Sequence, residues 1–108
     1  MIRTVFGRQK TQPFISVWDT RKISTGSSAS NQIKLPLMYS SVCNFKIDWG
    51  DGTSNVITSP SQAEATHTYA VAGVYTITII GLLTDWVHNN NGDKLKILEI
   101  LNWGDLQI

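Results

Sequence analysis

The sequence predicts an all-β protein, a β-sandwich of about seven short strands. Apolar and polar residues alternate in several short runs, which is typical of strands with one buried face. Turn-forming residues separate these runs at short intervals, as they do in sandwiches. No segment carries a convincing helical stripe. The 108 residues suit one domain, and an apolar content of 42% is enough to fill one core.

The N-terminal third begins with a polar, basic stretch over residues 1–12, which we interpret as a flexible lead-in. The first strand is predicted over residues 13–18. Residues 19–31 are rich in Ser, Thr, Gly and Asn and predict a loop. Apolar residues alternate over residues 33–37 and predict a second strand, in which Pro36 indicates an edge position or a bulge.

A β-hairpin is the best-defined part of the sequence. Its first strand covers residues 43–49, where four side chains share one face: Cys43, Phe45, Ile47 and Trp49. Gly-Asp-Gly at residues 50–52 is turn chemistry, because Gly tolerates positive φ and Asp bonds its own backbone nearby. A second strand follows over residues 53–58. Trp49 is expected to plug the core behind the turn.

After the hairpin, residues 63–69 are predicted as a short extended piece and residues 74–80 as the clearest strand in the chain. That strand is expected to continue over residues 81–88 with a bulge near Gly81. Residues 89–93 combine Asn and Gly and predict a tight loop.

The C-terminal part is predicted to hold the last strand, over residues 94–101. Leu95, Leu98 and Leu101 also have helical spacing, which leaves a short helix as the alternative. In the tail, over residues 102–108, Trp103 is expected to pack against one end of the sandwich.

Two segments resemble the hallmarks of the polycystic-kidney-disease (PKD) domain. Phe-Lys-Ile-Asp-Trp-Gly-Asp-Gly-Thr at residues 45–53 is similar to its tryptophan-aspartate-glycine turn. His-Thr-Tyr at residues 67–69, followed by Ala-Gly-Val-Tyr-Thr-Ile at residues 72–77, is similar to its second motif. The resemblance covers residues 43–81, and it implies an immunoglobulin-like sandwich over residues 13–101. In this chain an Asp directly precedes the Trp, which indicates a PKD-like variant.

The resemblance also implies structural roles for the motif residues. In the turn these are Asp48, Trp49, Gly50, Asp51 and Gly52, and in the second motif they are His67, Tyr69, Gly73 and Tyr75. The two carboxylates of the turn form a candidate acid–base pair. Hydrogen bonding to backbone amides at a hairpin tip is the interpretation we favour for them.

Residues 86–108 look like the junction at which PKD-like domains pass into leucine-rich repeats in bacterial surface proteins of the BspA type. Leu95, Leu98 and Ile100 fit the leucine-x-x-leucine-x-leucine core of such a repeat. A single amphipathic strand gives the same pattern. Residues 102–108 are therefore either a C-terminal tail or the start of that junction.

Charge, cysteine content and hydropathy exclude several classes. A net charge of +1 does not suit a nucleic-acid partner, although basic residues concentrate in residues 1–34. Cys43 is the only cysteine, which excludes an intrachain disulfide, and its place on an apolar face predicts burial. No run of about 18 apolar residues exists, so membrane insertion is not expected. Residues 1–17 lack the apolar core of a signal peptide.

Two kinds of ligand site have candidate residues. Calcium takes loop oxygens, and the candidates are either Asp48 and Asp51 or Asp93 with Asn89 and Asn91, without an EF-hand spacing. Sugars stack on exposed aromatic rings, and the polar residues near Trp86 suit such a platform: His88, Asn89 and Asn91. His67 and His88 lie far apart with no Cys partner and give no zinc pattern.

The resemblance thus implies a non-catalytic structural or adhesion module on a bacterial surface or a phage virion. It would act as a spacer and presenter that binds a protein or glycan on a cell surface, joined to neighbouring domains or repeats of a parent protein. The alternatives are a carbohydrate-binding module that uses Trp86 and a calcium-stabilised adhesion domain. No cofactor other than calcium is expected.

Overall fold

The computed structural model describes residues 12–37, 42–84 and 93–104. These residues form seven strands and one 3-10 turn: β1 Phe14–Asp19, β2 Gln32–Lys34, β3 Cys43–Asp48, β4 Ser54–Ile57, the 3-10 turn Ala63–Ala65, β5 Thr66–Thr68, β6 Val74–Leu83 and β7 Ile97–Asn102. No α-helix occurs in this part of the chain. The prediction of an all-β sandwich is confirmed.

The strands form a five-stranded sheet in the order β4-β3-β6-β1-β7 and a two-stranded sheet of β2 and β5. All recorded pairs are antiparallel. Constant-type immunoglobulin domains divide their seven strands four and three, whereas the strands of the described residues divide five and two. Assignment to the PKD type stays a prediction.

The core lies between the two sheets and follows the period-two pattern of the sequence. In β3, Cys43, Phe45 and Ile47 are buried while the intervening residues are exposed. Ile47 pairs with Ile79 of β6, so the two central strands bury matching positions. The largest buried side chains are Trp18, Trp49, Tyr69, Phe14 and Phe45.

The second strand is shorter than residues 33–37. It ends at Lys34, and the prediction that it runs to Leu37 is wrong. The backbone N–H of Leu37 donates to the carbonyl of Leu35 at 2.9 Å, so the chain turns around Pro36. Proline lacks the N–H that would continue the ladder. Residues 63–69 are likewise extended only from Thr66 onward.

Strand β6 crosses Gly81 without a bulge, and its pairing with β3 keeps one register from Asp48↔Thr78 to Cys43↔Leu83. The prediction of a bulge near Gly81 is wrong. Glycine is needed there because of a close approach: a Cβ would lie 2.5 Å from the Asn44 carbonyl oxygen, at φ +138°. Strand β6 ends at Leu83, and from residue 85 onward the predicted continuation to residue 88 lies outside the described residues.

The last strand begins at Ile97, three residues later than predicted. Residues 93–96 form a turn, closed by a hydrogen bond of 2.9 Å from the Lys96 N–H to the Asp93 carbonyl. The pairing of β7 with β1 shifts register twice, and Leu98 and Leu101 are the extra residues at the two shifts. The alternative of a C-terminal helix is therefore wrong for the described residues.

The loops gather at two ends of the sandwich. β1 and β3 end where β6 and β7 begin, since Asp19 pairs with Val74 and Trp18 with Ile97. One end, here called the turn end, therefore carries the connections of residues 20–31, 49–53 and 69–73, together with residues 93–96, which lead into β7. The opposite end, here called the exit end, holds residues 12–13 and 103–104, where the ring of Trp103 lies 5.4 Å from that of Phe14.

Candidate functional site

The hairpin tip at the turn end is built from backbone hydrogen bonds to its carboxylates. Asp48 Oδ1 accepts the N–H of Gly50 at 3.0 Å. Asp51 Oδ1 accepts the N–H of Thr53 at 3.0 Å and its hydroxyl at 2.5 Å. Gly50 and Gly52 have φ of +84° and +90°, which lets the chain reverse at little cost. Each carboxylate thus accepts a backbone hydrogen bond from the residue two positions later and stabilises the turn in which it lies.

Aromatic rings join the hairpin to the second motif. The ring of Trp49 is buried and stacks on the ring of His67, with centroids 4.6 Å apart and planes 9° apart. Its indole N–H donates to Asn55 Oδ1 at 2.8 Å. The Tyr69 ring meets His67 edge-on at 4.6 Å, and its hydroxyl donates to the Trp49 carbonyl at 2.8 Å. Residues 67–69 therefore pack directly on the hairpin that precedes them.

Tyr75 and Gly73, the other residues of the second motif, lie at the edge of this aromatic group. The Tyr75 ring stacks on Tyr69 with centroids 4.0 Å apart, and its hydroxyl donates to the Val71 carbonyl at 2.5 Å. The N–H of Gly73 donates to Thr20 Oγ1 at 2.9 Å, and the Gly73 carbonyl accepts the N–H of Thr20 at 2.9 Å. Burial raises the pKa of the Tyr69 hydroxyl far above its usual range.

His67 pins the hairpin tip to the small sheet. Its Nε2 lies 2.8 Å from Asp51 Oδ2 and 3.4 Å from Thr53 Oγ1. Burial opposes ionisation of Asp51, but the hydrogen bonds from Thr53 and His67 prevail and lower its pKa. A hydrolytic triad needs the base to use one ring nitrogen for the nucleophile and the other for the carboxylate. Here the same nitrogen contacts both, so the arrangement suits a structural pin.

We expect the contact between Asp51 and His67 to stop stabilising the folded state in acid. The pKa of Asp51 is lower in the folded chain than the value of about 3.9 in an unfolded chain. Its stabilisation is therefore complete above about pH 5 and declines as the pH falls through the folded pKa. Replacing Asp51 with Asn should flatten the acid limb of the curve of melting temperature against pH.

Thermal melts of the wild type and Asp51→Asn between pH 2 and 7 would measure this effect. Thr53→Val, which keeps the shape and removes one hydroxyl donor to Asp51, should give an intermediate slope. An Asp51→Asn chain with the wild-type acid limb would show that the pin does not contribute.

A second polar cluster lies under the loop of residues 20–31. Ser28 donates its N–H to Asp93 Oδ1 at 2.7 Å and its hydroxyl to Asp93 Oδ2 at 2.6 Å, and the Lys34 N–H donates to the same Oδ2 at 2.6 Å. The fully buried Lys96 ammonium donates to the carbonyls of Ala29 at 2.5 Å and Gln32 at 2.8 Å, and to Ser28 O and Oγ. The sequence singled out only Asp93 from this cluster.

The pair of Ser28 and Lys96 does not have the character of a nucleophile and its base. Lys96 Nζ lies 3.0 Å from Ser28 Oγ, which is within the hydrogen-bond reach that a nucleophile and its base require. Burial lowers the pKa of Lys96, and Asp93 opposes that shift. Because Nζ also donates to three carbonyl oxygens, it has to be an ammonium, which has no lone pair to accept a proton.

Cys43, the remaining nucleophile, is buried in β3, and burial raises the pKa of its thiol. A reactive cysteine needs the opposite shift and an accessible sulfur.

Among residues 12–37, 42–84 and 93–104, no three His, Cys, Asp or Glu side chains are grouped so as to hold a metal ion. The oxygens of Asp51 and Asp93 accept the hydrogen bonds described above. Calcium binding at these residues stays a prediction. The same ranges contain no helix long and apolar enough to cross a bilayer.

The residues proposed for sugar stacking, Trp86, His88, Asn89 and Asn91, lie outside the described residues.

The turn end also exposes apolar side chains that the sequence patterns did not single out. Val71, Ile23 and Leu95 are 69%, 58% and 50% exposed. The loops that carry Val71 and Ile23 are tied together by the hydrogen bonds between Thr20 and Gly73. Val71 and Ile23 are therefore carried by loops that are held next to each other at the turn end.

The positive charge beside this surface is partly neutralised. Arg21 forms an ion pair with Asp19, with 2.8 Å between Nε and Oδ1. The hydrogen bond from the Arg21 side chain lowers the pKa of Asp19.

Comparison of the chain with protein-family models, with curated proteins and with solved structures finds no match. Both resemblances, to the PKD domain and to the BspA-type junction, therefore stay predictions from the sequence.

Proposed function

We propose that this chain is a non-catalytic structural or adhesion module of a cell surface or a phage virion. It acts as a spacer that presents the loops of the turn end to a protein or glycan. The observation that supports this most directly is that the loops of the turn end and the entry and exit of the chain lie at opposite ends of the sandwich. The connections of the turn end lie at one end, and the chain enters and leaves the described fold at the other.

At the exit end, the first and the last described segments of the chain are in direct contact. Asn102 Nδ2 donates to the Pro13 carbonyl at 2.8 Å. Gly104 lies so close that a Cβ there would overlap the same carbonyl, at φ +62°. The chain therefore enters and leaves the described fold at the end remote from the turn end. A domain held in this way projects its turn end outward.

The turn end is also preorganised. Ring stacking fixes the hairpin against β5, and Asp93 and Lys96 fix the loop of residues 20–31. Loops that are ordered before binding lose less conformational entropy when a partner docks. This favours recognition through a fixed surface.

The contacts of the candidate nucleophiles support a non-catalytic role. Thr53 and Asp51 share one nitrogen of His67, Lys96 is an ammonium beside Ser28, and the thiol of Cys43 is buried with a raised pKa. None of these groups meets the requirements of an activated nucleophile.

The proposal is tested with two exposed valines. Val71 lies at the turn end and is 69% exposed, while Val56 of β4 is 57% exposed on the side of the sheet. The labelled full chain would be applied to a broad glycan array and to a panel of intact bacterial cells, with calcium and with chelator. Val71→Asp should weaken binding about tenfold or more, and Val56→Asp should leave it unchanged.

Other outcomes distinguish the alternatives. Loss with Val56→Asp and retention with Val71→Asp would contradict presentation by the turn end. Glycan binding removed by Trp86→Ala would favour the carbohydrate-binding module, and binding lost only with chelator would favour the calcium-stabilised domain. Turnover of any chromogenic substrate that disappears with Asp51→Ala would overturn the non-catalytic role.

A further inference from the structure

The buried Lys96 has a role that the proposed function does not require. Lysine is almost never fully buried, because transfer of its ammonium out of water is unfavourable unless oxygens replace the water. Lys96 is fully buried in the turn that precedes β7. Its backbone is also paired, since its carbonyl accepts the Asp19 N–H at 2.7 Å and its N–H donates to Asp93.

The oxygens around Nζ form a complete cage. Ala29 O and Gln32 O lie at 2.5 and 2.8 Å, and Ser28 contributes Oγ at 3.0 Å and O at 3.1 Å. An ammonium has three protons. Two of them satisfy the carbonyls of Ala29 and Gln32, and the third is shared by the two oxygens of Ser28. The carboxylate of Asp93 stands behind Ser28 and adds a negative charge to the cage. Carbonyl, hydroxyl and carboxylate oxygens are the groups that bind hard cations in proteins.

The loop around this cage is held by hydrogen bonds, at its ends to Gly73 and Tyr69 and in its middle to Asp93 and Lys96. Most residues between Arg21 and Asn31 are exposed or half-exposed, and the segment contributes no residue to the hydrophobic core. The Ser28, Ala29 and Gln32 carbonyls converge on one point, where their negative ends repel one another without a cation. The shape of this loop therefore depends on the charge inside it.

We propose that Ser28, Ala29, Gln32 and Asp93 form a cation-binding site whose resident cation is the ammonium of Lys96. When the side chain is shortened, a small primary alkylammonium ion takes its place and restores the loop. The inference concerns the fold of the loop and stands whether or not the turn end binds a partner.

Hydrogen exchange of the full chain, followed by NMR, tests the proposal. The reporters are the amides of Ser28, which donates to Asp93, and of Gln32, which donates to the Ala29 carbonyl at 3.0 Å. In sodium chloride, Lys96→Ala should lower their protection about tenfold or more, since hydrogen bonds to a charged group are lost. Propylammonium chloride at equal ionic strength should restore the protection, whereas sodium chloride should not.

Three variants serve as controls. Lys46→Ala removes one positive charge from the exposed face of β3 and should leave the exchange unchanged. Ser28→Ala removes one oxygen of the cage and should give a smaller loss that propylammonium does not repair, because Lys96 still fills the site. Lys96→Met fills the space without a charge and should lose protection as Lys96→Ala does.

Wild-type protection in Lys96→Met would overturn the proposal, as would equal effects of propylammonium and sodium on Lys96→Ala. Should Lys96→Ala fail to fold in sodium chloride, tryptophan fluorescence would follow refolding with the amine. Refolding that depends on propylammonium supports the site, and refolding that the amine does not promote overturns it.

Discussion

Replacing Trp49 with alanine is expected to lower the free energy of unfolding by about 3–5 kcal/mol. The indole is fully buried, stacks on His67 and donates its N–H to Asn55. Its removal opens a cavity between the sheets and leaves a polar group without its donor. A domain of this size has roughly 5–15 kcal/mol of stability in total, so the loss is a large fraction of it.

Urea unfolding followed by circular dichroism would measure the change, with Trp103→Ala as the matched control. Trp103 is 56% exposed and meets Phe14 at the exit end, so its truncation should cost about 1 kcal/mol. Equal losses in the two variants would contradict the central position of Trp49. Trp49→Phe should fall between them, because it keeps an aromatic ring and loses the N–H donor.

The parts of the fold that the sequence predicts well are those with one regular period. β3 alternates buried and exposed residues throughout, and the sequence shows the same alternation from Cys43 to Asp48. β6 is equally clear, because its pairing with β3 is regular over their shared length. In both strands local pattern and long-range packing agree, which is the condition under which pattern reasoning succeeds.

The C-terminal strand shows why the same reasoning loses accuracy elsewhere. Leu95, Leu98 and Leu101 recur every third residue, a spacing that a straight strand does not produce. The two register shifts add one residue each at Leu98 and Leu101, which leaves Ile97 and Ile100 on the core side opposite Trp18 and Ser16. A bulge depends on the partner strand, so a single segment does not reveal it.

The candidate sites also divide into those that local sequence predicts and those that depend on the tertiary fold. Turn chemistry indicates hydrogen bonding by Asp48 and Asp51 within two residues, and the structure places both bonds there. The cluster of Ser28 and Lys96 joins residues 68 positions apart along the chain. Nothing near Lys96 in the sequence distinguishes it from a solvated lysine. Only the tertiary fold brings the acceptors to it.

The hairpin tip permits a second test with a large effect. Two glycines there share a positive φ and differ in the space that a Cβ would find. Gly50 and Gly52 both have positive φ, +84° and +90°. A Cβ on Gly50 would overlap the backbone oxygen of Thr76, whereas a Cβ on Gly52 would meet nothing within 4 Å. The two positions share backbone strain, and Gly50 alone adds a collision with the central strand β6.

Gly52→Ala is therefore expected to cost about 1–2 kcal/mol, the price of a left-handed alanine. Gly50→Ala should cost about 3–5 kcal/mol, because relief of the collision moves the hairpin away from β6 and disturbs the stack of Trp49 on His67. Urea midpoints would measure both losses, and near-ultraviolet circular dichroism would report the stack. Equal losses would mean that the hairpin moves freely over β6. A larger loss for Gly50→Ala would mean that glycine at this position is required by the packing of the hairpin on β6, in addition to the shape of the turn.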